Sequence, residues 1–266
     1  MKFNYKFSNL CGTVYKKGNC VFTPDGTTLI SPVANRITLF DLASSETSTL
    51  PFEARHDIER IAISPNGSLL IAIDDQGKSV LINLLRRVVL SHFDFKSRVY
   101  AIEFSPNGKF FAVSHHRHIR VWRSPSIFKE FAPFVLQRTF TGLYDDVTCI
   151  DWSHDSNFFV AGSRDTTVRL FSLMYIKGFV APTLSAHHDV IKAVFFSKDS
   201  NSIYSVSRDG SLFHWMFLEN DQEEEEDSED KTAADSGNLV VQPSDGEESD
   251  SDDSDDDNDD NDDDSD

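Results

Sequence analysis

The chain has 266 residues, enough for one or two domains, and its charge is divided unevenly. Residues 219–266 contain 25 Asp and Glu against one basic residue, a net charge of −24, whereas residues 1–218 carry a net charge of +5. No apolar run approaches the ~18 residues needed to cross a bilayer, and the first residues lack the apolar core of a signal peptide. We therefore expect a mildly basic body, a very acidic tail and no membrane partner.

The three cysteines, Cys11, Cys20 and Cys149, are odd in number and widely spaced. This spacing fits neither a disulfide framework nor a CxxC metal knuckle. We expect a reducing compartment, with each cysteine acting as a small buried apolar residue.

A short turn motif recurs five times in the body, beginning at Thr23, Ser64, Ser105, Ser153 and Ser197. The spacings are 41, 41, 48 and 44 residues. Its Pro-Asn-Gly and Pro-Asp-Gly versions suit hairpins, because Pro fixes φ and the following residues tolerate positive φ. Strand-like runs precede the turn, as at Val99–Phe104 and Val147–Trp152, and two more follow it, as at 158–161 and 167–171.

Each third run carries a large apolar residue 17 or 18 positions after the turn begins. These blade anchors are Phe40, Ile82, Trp122, Phe171 and Trp215. A period of 40–45 residues with short strands and a terminal aromatic residue is typical of four-stranded propeller blades. The sequence therefore predicts an all-β propeller with about five blades' worth of chain.

The fifth unit resembles a WD repeat at His187, Ser205, Asp209 and Trp215. The resemblance implies that these four side chains hydrogen-bond in series within one blade, as a structural network that performs no chemistry. The fourth unit keeps Asp165 but has Leu143, Ala161 and Phe171 where His, Ser and Trp are expected. The first three units lack the His and the aligned Asp, so we expect those blades to rest on apolar packing alone.

Residues 3–218 are also similar to the periodic tryptophan protein 2 family, in the runs 7–15, 29–42 and 179–187 and in the acidic stretch that follows the fifth unit. This resemblance implies a nucleolar, non-enzymatic WD-repeat scaffold of the small-subunit processome, active in ribosome biogenesis and pre-rRNA processing. It implies other WD-repeat processome proteins as partners, with pre-rRNA or a small nucleolar ribonucleoprotein as a further one. A generic WD-repeat adaptor in a chromatin or ubiquitin-ligase complex is the alternative.

The predicted domains are a WD-repeat β-propeller portion at 1–218 and a disordered Ser/Asp-rich tail at 219–266. The units lie at approximately 13–42, 54–84, 95–123, 142–173 and 186–217. Because a WD ring usually has seven blades and members of the family are much longer, we expect an incomplete ring from a fragment or short form. The alternative is a five-bladed closure in which 4–15 completes the last blade.

The tail has too few apolar residues to offset the entropy of ordering it. It is either a solvating spacer or a contact for basic proteins. Ser244, Ser249 and Ser254 each precede an acidic residue by three positions, a pattern that acidophilic kinases favour. These three serines are the candidate phosphorylation sites.

Other groupings have the residue types for chemistry. The run 115–118 holds three histidines of the kind that bind zinc or copper, but it falls where a turn is expected, and we predict an exposed polar turn. The run 185–189 contains triad residue types without a nucleophile elbow. We therefore expect no enzyme, cofactor, metal or small-molecule substrate. Basic residues that suit weak phosphate contacts, or simple solvated charge, are Lys16, Lys17, Arg86, Arg87, Arg117, Arg120 and Arg123.

Overall fold

The structure, a computed structural model, describes residues 18–217, which form 19 strands. The first sheet contains β1 (Val21–Phe22), β2 (Thr28–Val33), β3 (Arg36–Asp41) and β4 (Thr47–Thr49). The second contains β5 (Ile58–Ile63), β6 (Leu69–Asp74), β7 (Lys78–Asn83) and β8 (Val88–Asp94). The third contains β9 (Val99–Phe104), β10 (Phe110–His115), β11 (His118–Arg123) and β12 (Val135–Phe140). The fourth contains β13 (Val147–Trp152), β14 (Phe158–Ser163), β15 (Thr167–Ser172) and β16 (Thr183–Ser185). The fifth contains β17 (Ile191–Phe196), β18 (Ser202–Ser207) and β19 (Leu212–Met216). No helix able to cross a membrane occurs among these residues.

Each sheet is an antiparallel meander, and successive sheets pack through their first strands. β5 contacts β1 and β2 of the first sheet, β9 contacts β5, β13 contacts β9 and β17 contacts β13. The first strand of every sheet therefore lies on the inner side of the arc and the later strands lie progressively outward. This arrangement is a partial WD β-propeller of five blades, which confirms the predicted fold class. Within residues 18–217 the fifth blade has three strands.

The five turns share one geometry and link neighbouring blades. In each, the fourth residue donates its backbone N–H to the carbonyl of the first, as in Gly26 to Thr23 at 2.8 Å and Ser156 to Ser153 at 2.9 Å. That fourth residue has φ between 59° and 70° in all five turns. Its conformation suits glycine, yet Ser156 holds it and accepts a hydrogen bond from the backbone N–H of Asn107 in the preceding turn, at 3.0 Å. The hydroxyl thus compensates for a left-handed backbone.

Apolar clusters fill the spaces between blades. The cluster between the second and third blades contains Phe95, Phe104, Phe111, Trp122 and Phe134, all at most 8% exposed. Phe95 and Trp122 meet edge to face with ring centroids 5.8 Å apart, a favourable aromatic geometry. Of the five predicted anchors, Ile82, Trp122 and Phe171 are buried and Phe40 and Trp215 are half-buried. The two half-buried anchors lie in the first and fifth blades, at the ends of the described arc, whereas the three buried anchors lie in blades that have a blade on each side.

The inner strands of blades two to five carry a β-bulge at the same place. In β13, Val147 pairs with Ser163 and Cys149 with Gly162, so Thr148 is the extra residue. Lys192 is the extra residue at the same bulge of β17, and Glu59 is the extra residue in β5. In β9 the bulge comprises Tyr100 and Ala101. Bulges redirect a side chain from its alternating position. This repeated bulge positions the recess described below.

The two cysteines among residues 18–217 differ in exposure. Cys20 is exposed, so the expectation of a buried cysteine is wrong there, whereas Cys149 is half-buried and free. Burial raises the pKa of the Cys149 thiol to about 11, which keeps it protonated near neutral pH. Cys11, the whole acidic tail and its three candidate phosphorylation sites Ser244, Ser249 and Ser254 lie outside the described residues.

Candidate functional site

The polar residues of the fifth blade meet around Ser205, which is 0% exposed. Trp215 donates its indole N–H to the Ser205 hydroxyl oxygen at 2.9 Å, and His187 places Nε2 2.7 Å from that oxygen. A hydroxyl that accepts from the indole still has a proton to donate to the imidazole. Burial lowers the pKa of His187, which favours the neutral ring that such a bond requires.

The Asp209 carboxylate joins this network indirectly. It accepts hydrogen bonds from the Ser207 hydroxyl and from the Ser211 backbone N–H, the latter at 2.8 Å. These bonds, with the Ser207 hydroxyl first, lower the pKa of Asp209 to about 2. The other imidazole nitrogen of His187 lies 3.0 Å from the Ser211 hydroxyl, which in turn lies 3.1 Å from Ser207. Ser211 thus connects the histidine to the carboxylate, a role that the repeat pattern did not identify.

The fourth blade replaces this network with apolar packing. Leu143, Ala161 and Phe171 are each at most 5% exposed and belong to one cluster. Asp165 accepts hydrogen bonds from the backbone N–H groups of Thr167 and Tyr144, both at 2.9 Å. The aspartate therefore stabilises the turn in a blade that has Leu143 in place of the network histidine.

The third blade contradicts two expectations. His115 is 4% exposed at the end of β10, with Nδ1 2.8 Å from the Ser97 hydroxyl, so the prediction of an exposed turn is wrong for this histidine. Polar contacts also hold this blade, since Arg98 makes two hydrogen bonds to the buried Glu59 of the second blade, at 2.6 and 3.0 Å. Burial, and then Arg120, lower the pKa of His115 to about 4. In the part of the chain that the structure describes, no group of His, Cys, Asp and Glu is arranged to hold a metal.

An axial recess of about 250 Å³ lies where the inner strands of blades two to five converge. Arg60 of β5, Tyr100 of β9, Thr148 of β13 and Lys192 of β17 reach it from four different blades. Arg164 and Arg208, from the β14–β15 and β18–β19 turns, complete its polar lining. We call this set of six side chains the axial recess.

Carboxylates orient both turn arginines of the axial recess. Arg164 donates to Asp146 at 3.2 Å and Arg208 donates to Asp189 at 3.0 Å. Both arginines are more than half exposed, so these pairs fix orientation more than they add stability. Lys192 is exposed and has no ion-pair partner among residues 18–217. The axial recess therefore concentrates positive charge on one end of the inner strands.

The basic residues predicted from sequence do not line the axial recess. Arg86, Arg87, Arg117 and Arg123 are exposed elsewhere, Arg120 is half-buried, and Lys16 and Lys17 lie outside the described residues. Arg169 lies over the Tyr144 ring, 5.8 Å from its centroid. The structure thus brings together a different set of cations from the one that local runs suggested.

Comparison with known proteins places these features in a family. The profile of the WD domain, G-beta repeat, matches residues 85–123, 134–172 and 179–215. The chain is 49% identical over 238 residues to the periodic tryptophan protein 2 homolog of Schizosaccharomyces pombe, covering 87% of this chain and 28% of that protein. It is 44% identical to the homolog of Mus musculus, covering 81% and 24%, and 40% identical to periodic tryptophan protein 2 of Saccharomyces cerevisiae, covering 85% and 25%.

The chain contains WD repeats. Each matched WD segment begins near the outer strand of one blade and supplies the three inner strands of the next, since 134–172 includes β12 of the third blade and β13–β15 of the fourth. One WD repeat therefore contributes strands to two consecutive blades. The WD-repeat chain spans about a quarter of the length of the curated relatives that it matches.

Proposed function

We propose that this WD-repeat chain is a non-enzymatic scaffold in small-subunit ribosome biogenesis that acts by docking other proteins of the processome and supports pre-rRNA processing in the nucleolus. The observation that carries the proposal is the 40–49% identity to periodic tryptophan protein 2 proteins over 81–87% of the chain. Pre-rRNA or a small nucleolar ribonucleoprotein is a further proposed partner, and the acidic tail is proposed to contact basic proteins.

The geometry supports docking in preference to chemistry. The polar network around Ser205 lies inside a blade, where its hydrogen bonds are used to hold strands together. The side chains of the axial recess, in contrast, are held at the surface by the blade framework, as rigid scaffolds usually hold the groups that bind partners. A propeller portion of this kind offers two faces and an outer rim for several partners at once.

The test is affinity purification of the tagged 266-residue chain from its own cells, with proteins and RNAs identified together. We expect processome proteins with pre-rRNA, and a nucleolar signal from a fluorescent fusion of the same chain. The control is the same chain with Ser205→Ala, which disturbs the fifth blade and should weaken recovery without changing the tail. Recovery of chaperones alone, or of a defined chromatin or ubiquitin-ligase complex, would contradict the proposal, and the second result would favour the generic adaptor.

A further inference from the structure

We propose that a pocket at the side of the second blade binds one tryptophan side chain, carried on a segment of a partner protein. The pocket has a volume of about 510 Å³ and opens beside the connection from β4 to β5. Its apolar lining includes Ala54, Ile58, Ala72 and Val80, and we call it the second-blade pocket. The inference rests on the proposed docking function and deepens it by naming the side chain that one docking site accepts.

The second-blade pocket lies where the next three blades place a large side chain of their own. The inner strands β5, β9, β13 and β17 are equivalent, because the first residue of each pairs with the last residue of the strand that follows. Four positions before these strands begin stand, in blade order, Ala54, Phe95, Leu143 and His187. The three larger side chains are each at most 5% exposed, and Phe95 packs on Trp122 as His187 packs on Phe213. Ala54 supplies only a methyl group at the equivalent place.

A second position beside the pocket is also small in this blade alone. Ala72 of β6 pairs with Val80 of β7, and the equivalent pairs of the next three blades are Val113 with Arg120, Ala161 with Arg169, and Ser205 with Phe213. The third strand thus contributes an arginine or a phenylalanine in those blades and a valine here. In the fourth blade Arg169 lies over the Tyr144 ring. Ala54 and Val80 together leave a space that the other blades fill with their own side chains.

Hydrogen bonds to the first blade hold the wall of the pocket that carries Ala54. Ala54 donates its backbone N–H to the Asn35 carbonyl at 2.8 Å, and its carbonyl accepts from the Asn35 side-chain amide at 3.2 Å. Ile58 donates its backbone N–H to the Ala34 carbonyl at 2.9 Å. The connection is therefore fastened to the turn between β2 and β3, and an occupant need not pay to order it. A preformed cavity of this size is in the range that proteins use for binding.

The charges around the second-blade pocket favour a neutral occupant. Glu53 lines the pocket but is paired with Arg36. The other charged side chains that line it are Arg55, Asp74, Lys78 and Asp94. With histidine neutral, these are two positive and two negative charges, so a cation or an anion entering the pocket would meet two like charges. An uncharged side chain avoids both repulsions.

Asp74 calls for an occupant that also donates a hydrogen bond. Its side chain is 4% exposed, and Oδ1 accepts from the backbone N–H groups of Gln76 and Lys78 at 3.0 and 2.7 Å. Its Oδ2 accepts no hydrogen bond from residues 18–217, and a buried acceptor without a donor is unfavourable. Tryptophan combines the largest apolar ring with one N–H donor and no acceptor that the carboxylate would repel. It is also enriched among the side chains that anchor protein interfaces by filling pockets.

The test measures binding of fluorescent peptide libraries to the purified 266-residue chain by anisotropy. Three libraries share degenerate flanks and carry tryptophan, phenylalanine or alanine at the centre. We expect the tryptophan library to bind at least about tenfold more tightly than the alanine library, from burial of the ring, and at least about fivefold more tightly than the phenylalanine library, from the bond to Asp74. Free N-acetyl-tryptophan amide should compete. No binding, or equal binding of the tryptophan library and either of the others, would overturn the proposal.

A matched pair of variants locates the site. Ala54→Phe copies the third blade and fills the pocket from within, so it should weaken tryptophan-library binding by about tenfold or more. Ala43→Phe makes the same change at an exposed position of the β3–β4 turn and should alter binding by less than about twofold. Circular dichroism melting checks folding, and Val80→Arg, which copies the third and fourth blades, replaces Ala54→Phe if that variant does not fold. Unchanged binding in the folded pocket variant, or equal losses in the pocket variant and the control, would overturn the assignment.

The outcome is separable from that of the proposed function. The peptide assay uses the purified chain, so its failure leaves the purification test of processome docking intact. Tryptophan-library binding that Ala54→Phe abolishes, in a chain that recovers no processome proteins from cells, would support the pocket and contradict the proposed function alone.

Discussion

The hydrogen bond between Trp215 and Ser205 should couple β18 to β19. Ser205→Ala leaves both the indole N–H and His187 Nε2 without their partner at a site that is 0% exposed, and we expect it to cost about 2–4 kcal/mol. Trp215→Phe removes one donor and part of a half-buried ring, and should cost about 1–3 kcal/mol. The double variant loses their shared bond only once, so its cost should be smaller than the sum by about 1 kcal/mol.

Hydrogen exchange of the β18 and β19 amides is the suitable assay. Blades contact mainly their neighbours and can therefore open one at a time, and hydrogen exchange reports the opening free energy of a single blade. Trp152→Phe is the matched control, because Trp152 donates its indole N–H at 3.4 Å to a carbonyl in a different blade and should leave β18 and β19 unchanged. Strictly additive costs in the double variant, or an equal effect of the control on these amides, would refute the reasoning.

Three further predictions concern other contacts between or within blades. Burial lowers the pKa of His115 to about 4, so the neutral ring should contribute its full stability above about pH 6.5, and up to about 3 kcal/mol of that stability should be lost as the pH falls to 4. In urea unfolding measured over this pH range, His115→Gln should have a flatter profile than the unchanged chain. Parallel profiles of the two proteins would contradict this prediction. Ser156→Ala keeps the left-handed backbone but loses the bond from Asn107, so it should lower the free energy of unfolding by about 1 kcal/mol, whereas Ser156→Gly relieves the backbone and should be nearly neutral. Arg98→Met leaves the buried Glu59 carboxylate without its partner and should lower the free energy of unfolding, measured by thermal unfolding, by about 2 kcal/mol. The cost should be smaller when Arg98→Met is introduced into a chain that already carries Glu59→Gln, because the uncharged glutamine needs no cation.

Local sequence was sufficient for the strands and turns. Val99–Phe104 and Val147–Trp152 match β9 and β13, because alternating apolar residues that end at a Ser-led turn leave few other pairings. The turn itself could be predicted from Pro and Gly at fixed offsets. Ser156 shows that the backbone conformation persists even where Gly is missing, since a hydrogen bond from the neighbouring turn stabilises it. The strands and turns could be predicted because the same pattern recurs in all five units.

The fate of individual polar residues was harder to predict, because it depends on which side chains face one another across blades. Ser211 joins His187 to Asp209, and His115 is buried against Ser97, although both residues look like ordinary turn residues in sequence. Val113 occupies in the third blade the place that Ser205 has in the fifth, since each lies two residues beyond the partner of its blade tryptophan. The Trp122 indole N–H is accordingly buried without a partner among the described residues. One substitution therefore decides whether the same anchor tryptophan is tied into a polar network.

The axial recess has the weakest sequence signal for a structural reason. Tyr100, Thr148 and Lys192 occupy one equivalent position in three blades but share no chemical type, so no repeat pattern marks them. Their convergence follows from bulges whose existence depends on pairing register, and register is a property of two strands together. Once the register is known, the second residues of β9, β13 and β17 are seen to line the axial recess, whereas the second residue of β5 is the buried Glu59, which pairs with Arg98. The side chains of the axial recess can therefore differ from blade to blade without changing the repeat pattern, whereas the His187 network depends on fixed residue types at fixed positions.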